Sequence, residues 1–268
     1  MAKLTRLNEV GIFTRNQNLS KEFYTRKIGL KVRSEIPKMG YLALGATKGG
    51  EDASLDLWQP TREGFGEDYD DAAKQVGTVT GIGFRTGNLE KTVQTLSKNG
   101  VKIETEGEGF ARFWDPDGNV VFVSEPTRQP ARRAGLQALD FVTVVTRDAA
   151  KADGFFTKAL GMKARKVRGG EGEGDFTVYR LGPKGTAVMP FTPNRAMYDN
   201  PADYEEDLAH VGENTWIMFT VDDVHAVQEK LLGQGVRFKA KAKRQDWGGI
   251  AAEICDPDGN SYMLYQMK

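Results

Sequence analysis

Asp115-Pro116-Asp117-Gly118-Asn119 and its copy Asp256-Pro257-Asp258-Gly259-Asn260 decide the fold. Each lies between two apolar, strand-like runs: Phe110 to Trp114 and Val120 to Val123 around the first, Ile250 to Cys255 and Ser261 to Tyr265 around the second. Proline fixes φ at the second turn position, and the glycine after the aspartate accepts a left-handed backbone. That is the chemistry of a type I hairpin turn closed by a glycine. Two such turns, each ending a parallel series of signals, define an internal repeat.

Working outward from the turns, the series becomes visible. Leu7 to Arg15 reads as a strand, followed by a helix from about Asn18 that carries Leu19, Phe23 and Ile28 and stops at Gly29. Asparagine suits the N-cap and glycine the C-terminal stop. Strands are expected at Lys31–Glu35, Gly40–Leu44 and Ala53–Trp58, and then an acidic linker or loop over a site from Thr61 to Gln75. The pattern restarts with a strand at Val79–Thr86 and a helix capped by Asn88. Strands at Val101–Glu104, Gly109–Trp114 and Val120–Ser124 follow. A third unit has a strand at Ala138–Thr146, a helix capped by Asp148, and strands at Lys163–Val167, Phe176–Leu181 and Ala187–Phe191. After a long polar loop over Asn194–Glu213 comes the fourth unit: strand Thr215–Val221, helix Val224–Leu232, and strands at Val236–Lys239, Gly249–Ile254 and Tyr262–Tyr265. The unit is β-α-β-β-β, four times over. The segment Pro126–Ala134, with Arg128, Arg132 and Arg133, marks a boundary, so the expected domains are residues 1–126, a linker at 127–135, and 136–268.

Composition narrows the partners. Lys and Arg number 37, as do Asp and Glu, so the chain offers no net field for nucleic acid or an anionic membrane. No apolar run approaches a transmembrane span, and the N-terminus lacks a signal-peptide core. Cys255 is the one cysteine, which excludes an internal disulfide. The expectation is a cytoplasmic protein, monomer or homodimer, acting on a small molecule.

Four such units in two pairs resemble the vicinal oxygen chelate superfamily, the glyoxalase/bleomycin resistance/dioxygenase fold. The residues that carry the likeness are Phe23-Tyr24 with Ile28-Gly29-Leu30, Phe155-Phe156 with Leu160-Gly161-Met162, the helix endings Asn99-Gly100-Val101 and Gln234-Gly235-Val236, and the two turns. The resemblance implies an α+β fold of four βαβββ units in two tandem modules. Each module is then an open, curled mixed β-sheet barrel with helices outside. It also implies a metal inside each barrel, held by His, Glu or Gln at inward strand positions. Those positions fall on Glu9, Asp56, Gly81 and Phe122 in the first module and on Phe141, Met189, Trp216 and Met263 in the second. Transition metals take imidazole or several carboxylates, and most of these residues offer neither. His210 and His225, the two histidines, align with no ligand strand and read as surface residues. No cofactor is therefore expected.

Glu9 and Asp56 are the exception. Two carboxylates facing one cavity form an acid/base pair with split pKa values or a weak divalent-metal site. Alternatively, one pairs with an arginine such as Arg112, or a register shift of one turns it to solvent. Phe122, Phe141, Met189, Trp216 and Met263 either fill the barrel as core or line a flat-walled pocket that stacks a planar ligand; Trp58, Trp114 and Trp247 either add walls to it or serve as packing. The leading expectation is a metal-independent binder of a small hydrophobic or aromatic molecule. The alternatives are a glyoxalase-like lyase or isomerase using Glu9 and Asp56, or a diverged extradiol dioxygenase. No nucleotide-binding glycine motif or nucleophile elbow is present. Cys255 reads as core, and the acidic run Gly169–Asp175 as a solvated hairpin loop.

Overall fold

The computed structural model describes residues 2–77, 81–106, 109–125, 133–168, 175–213, 216–246 and 248–267. The first repeat comprises strand β1 (Leu4–Phe13), helix α1 (Gln17–Glu22), and strands β2 (Lys31–Ile36), β3 (Tyr41–Gly45) and β4 (Ser54–Trp58). Helices α2 (Arg62–Phe65) and α3 (Tyr69–Lys74) follow. The second repeat has β5 (Ile82–Thr86), α4 (Leu89–Lys98), β6 (Glu104–Glu106), β7 (Phe110–Trp114) and β8 (Val120–Ser124). The third has β9 (Leu136–Val145), α5 (Ala149–Gly154), β10 (Lys163–Arg168), β11 (Asp175–Arg180) and β12 (Ala187–Phe191), then α6 (Pro201–Ala209). The fourth has β13 (Trp216–Val221), α7 (Val224–Gly233), β14 (Arg237–Arg244), β15 (Ile250–Cys255) and β16 (Ser261–Gln266). No helix among the described residues is long and apolar enough to cross a membrane.

Side-chain caps set the helix starts. Asn88 accepts from the Lys91 amide, Asp148 from Ala150 and Lys151, and Asp223 from Ala226. In the first repeat the cap is Asn16, whose side chain accepts from Asn18 and Leu19, so the cap lies two residues ahead of the Asn18 cap expected. Helices α1 and α5 both continue into a π-helical turn, over Phe23–Lys27 and Phe155–Ala159. The Leu30 amide then reaches back to the Tyr24 carbonyl, and Met162 to Phe156. Three other expectations change. The Thr61–Gln75 stretch is helical, the polar loop at Asn194–Glu213 contains α6, and the strand expected at Val101–Glu104 begins only at Glu104. The strand starts at Val79 and Thr215, most of the 127–135 linker, residues 169–174 and Trp247 lie outside the described residues.

Two eight-stranded mixed sheets carry the fold, and neither closes. The first runs β14-β15-β16-β13-β1-β4-β3-β2, the second β10-β11-β12-β9-β5-β8-β7-β6. The first sheet is thus built from the first and fourth repeats, and the second from the second and third. This corrects the grouping of ligand-type positions by consecutive repeats. Glu9, Asp56, Trp216 and Met263 belong to the first sheet; Phe122, Phe141 and Met189 belong to the second, with Gly81 just ahead of β5. Chain contacts define two compact units. One holds the N-terminal stretch up to Glu9, Thr143–Arg168 and the chain from Asp175 onward; the other centres on Val10–Val142.

The two turns are more than hairpin connections. In the second unit the buried Asp115 carboxylate accepts four hydrogen bonds: Oδ1 from the Asp117 and Asn119 amides, Oδ2 from the Asn119 amide nitrogen Nδ2 and, at 2.9 Å, from the Tyr24 hydroxyl. Asp117 accepts from the Thr14 and Ser20 hydroxyls at the start of α1. In the first unit Asp256 accepts from Asp258, Asn260 and Tyr262, and Asp258 from Thr146 and the Arg147 amide. Glycines close both arrangements. A Cβ on Gly77 (φ 80°) would lie 2.4 Å from the Asp117 carbonyl oxygen, and one on Gly212 (φ 88°) 2.9 Å from that of Asp258. The turns therefore lock each unit's first helix and long loop to its last hairpin, with the buried Tyr24 and Tyr262 as anchors.

Candidate functional site

In a half-buried sheet, residues in register project from the same side. On the second sheet, Gly83 is in register with both Phe122 on β8 and Phe141 on β9. The two rings lie 6.2 Å apart, and a Cβ on Gly83 would meet the Phe141 ring at 2.0 Å. The aromatic rings occupy the space that glycine vacates, so Phe122 and Phe141 are brought together as packing. Met189 sits half-buried on β12.

The first sheet differs at the matching places, all within the first unit. Met218 pairs in register with Met263, and Met263 with Glu253; Thr220 pairs with Tyr265, and Tyr265 with Ala251. Met218, Ala251 and Tyr265 form a separate apolar cluster, against which the half-buried Trp216 and Met263 pack. Strand β13 lies between β16 and β1, and the Tyr265 ring reaches across it. Its hydroxyl donates to Glu9 Oε1 at 2.7 Å. Asn8 Nδ2 donates to the same oxygen at 3.0 Å and to the Tyr265 hydroxyl at 2.5 Å. The three groups form a closed triangle that fixes the carboxylate, while among the described residues Oε2 has no protein partner. Lys239 neutralises Glu253 at 3.0 Å. The result is a thioether and aromatic face with one oriented carboxylate.

In the second unit Asp56 is fully buried and accepts from the Tyr41 hydroxyl at 3.0 Å. Tyr41 is in register with Trp58, and their rings lie 4.6 Å apart. Helix α2 brings Phe65 edge-on to both Trp58 and Phe13. The helix after β4 thus packs against this aromatic group. Arg112 pairs with Glu104 and lies over the Trp114 ring. His210 approaches Glu213 at 3.5 Å, and His225 is exposed. Cys255 is buried, as expected of core. It contributes to a groove of about 590 Å³ between the Phe155–Ala159 turn and Gln234–Arg237, a groove lined by none of the expected site residues. Among the described residues, no three His, Cys, Asp or Glu side chains gather as a metal-binding group.

Sequence reasoning missed Tyr265, Met218, Asn8 and Phe65. Met218 had a legible signal: Trp216-Ile217-Met218-Phe219 repeats Gly81-Ile82-Gly83-Phe84, so the large residue on one sheet stands where the other has glycine.

The fold fits a known class, which the sequence match establishes. The pattern of the Glyoxalase/Bleomycin resistance protein/Dioxygenase superfamily matches residues 6–123 and 138–264, and the chain belongs to that superfamily. No curated protein sequence matches it significantly. Among solved structures it is similar to glyoxalase I from Zea mays, with a TM-score of 0.70 at 18% identity over 97% of this chain and 92% of that one. It is also similar to a provisionally assigned dioxygenase from Bacillus subtilis subsp. subtilis strain 168, with a TM-score of 0.68 at 14% identity over 99% and 86%. At these identities the likeness is one of fold.

Proposed function

We propose that the chain binds a small aromatic or hydrophobic molecule, without a metal, on the first-sheet face of the first unit. The observation that carries this is the Trp216 and Met263 pair packed on the Met218–Ala251–Tyr265 cluster beside the fixed Glu9 carboxylate. An indole and a thioether stand where the superfamily places ligands, and such a set suits stacking and dispersion rather than a divalent ion. The Glu9 carboxylate orients the ligand by accepting a hydrogen bond. The lyase or isomerase alternative needs Asp56 as a partner acid or base; its complete burial and its bond from Tyr41 favour a structural acceptor.

Metal analysis of protein purified without chelators is expected to find no stoichiometric transition metal. A thermal-shift screen of planar aromatic compounds is expected to find ligands that stabilise the chain by about 2.7 kcal/mol at a hundredfold excess over Kd. That stabilisation should be lost in Trp216→Ala. Stoichiometric metal, or stabilisation indifferent to both Trp216→Ala and Glu9→Gln, refutes the proposal.

A further inference from the structure

The ligand-binding face has two differently charged ends. Lys243 on β14 is in register with Ala251 on β15, which is in register with Tyr265 on β16, which is in register with Thr220 on β13. These four residues form one row, and its far end is closed by Glu9, held by the Tyr265 hydroxyl. The adjacent row runs Ala240, Glu253, Met263, Met218. Ala251 and Ala240 are the small residues of these rows, Ala251 buried in the cluster and Ala240 half-buried on the edge strand. Four strand spacings separate β14 from β1, about 19 Å along the sheet.

The charges along these rows are not equivalent. Glu253 is taken up by Lys239. Glu9 keeps Oε2 open, and among the described residues the Lys243 ammonium has no ion-pair partner. Strand β14 also exposes Arg237, Lys241 and Arg244. Lysines on an edge strand guard against edge-to-edge pairing, and that role accounts for Lys241 and Arg244. Lys243 differs because, past a register shift on β14 after Ala240, it pairs with Ala251 on the aromatic face.

We propose that the ligand is an elongated planar aromatic acid. Its anionic group meets Lys243, its ring system covers Ala251, Tyr265 and Met263, and a hydroxyl or amine at the opposite end donates to Glu9. This rests on the binding face proposed above and adds the chemistry of its occupant. The positive edge strand draws the anion in, and the carboxylate at the other end fixes which way round it lies.

Isothermal titration calorimetry at low salt with three probes tests it: hydroxynaphthoate with its two groups at opposite ends of the ring pair, naphthol lacking the carboxylate, and naphthoate lacking the hydroxyl. The full chain is expected to bind hydroxynaphthoate about tenfold more tightly than naphthol, equivalent to about 1.4 kcal/mol. Lys243→Met should abolish that preference and leave naphthol binding unchanged, Lys243→Arg should keep it, and Lys98→Met on helix α4 should have no effect. Glu9→Gln should weaken both hydroxylated probes and spare naphthoate. If naphthol binds in a Trp216-dependent way and the carboxylate adds nothing, or if Lys243→Met leaves the preference intact, the aromatic-acid proposal falls while the binding face stands. If none of the three probes binds, both fall.

Discussion

Replacing Tyr24 by phenylalanine removes one oxygen from the interior and nothing else, so its cost reports what the Asp115 turn is worth. The Tyr24 ring is fully buried and its hydroxyl donates to Asp115 Oδ2 at 2.9 Å. Burial, then the Asp115 charge, pushes the phenol well above its usual pKa, so it stays a donor at every accessible pH. Losing a buried hydrogen bond to a charged acceptor costs about 1.5–3 kcal/mol. A chain of this length loses about 2–4 °C in Tm per kcal/mol. Tyr262→Phe is the internal comparison: its bond to Asp256 is longer, at 3.2 Å, and the expected loss is nearer 1 kcal/mol.

The pH dependence separates this from simple packing loss. Burial raises the Asp115 carboxyl above its usual range, and hydrogen bonds, among them that from Tyr24, pull it back down. A carboxyl whose folded pKa is raised contributes stability in acid, and that contribution is lost as pH rises through the folded value. Without the Tyr24 hydroxyl the folded pKa rises further, so the contribution persists to higher pH. The deficit of Tyr24→Phe is therefore larger at pH 7 than in the acid range just above the ordinary aspartate pKa. Urea unfolding at both pH values, with unchanged m, measures it. A cost below about 0.5 kcal/mol, or one that does not vary with pH, refutes the reasoning.

Two further outcomes follow from close contacts. Gly83→Ala drives a methyl into the Phe141 ring and is expected to cost about 1–3 kcal/mol. In a Phe141→Ala background most of that cost should vanish, and additivity in the double-mutant cycle would argue against the packing described. Gly77→Ala and Gly212→Ala both place a side chain at positive φ against a backbone carbonyl, which cannot rotate away. Gly77→Ala, with the shorter approach, should lower Tm more; the reverse order in calorimetry would count against the turn as an anchor for the loop.

Local chemistry made the elements legible. Asn88 and Asp148 cap the helices they were expected to cap, and both Asp-Pro-Asp-Gly-Asn runs form their turns. The partnering of repeats was not legible. Alternation on β13 or β5 says which face is buried, but nothing in either strand says whether its neighbour comes from the preceding repeat or from the other end of the chain. That choice set which ligand-type positions share a sheet. By residue type Asn18 suits the cap as well as Asn16, and only the extended backbone at Asn16 distinguishes them. In sequence Tyr265 is simply a strand residue of the closing hairpin. Its role depends on a bond to Glu9 across an intervening strand, which no local pattern encodes.

The strand order carries a consequence for biosynthesis. The first nine residues belong to the same compact unit as the last stretch of chain, and Lys3 and Thr5 hydrogen-bond to Asp222 and Thr220. On the ribosome, β1 leaves the exit tunnel long before the β13 strand beside it has been made. Folding from the N-terminus forward, the usual course for multidomain chains, is closed to this half of the molecule. Such late long-range closure lowers the folding rate. A nascent chain halted before Trp216 would expose β1 as an unsatisfied edge, open to aggregation until its distant partner appears.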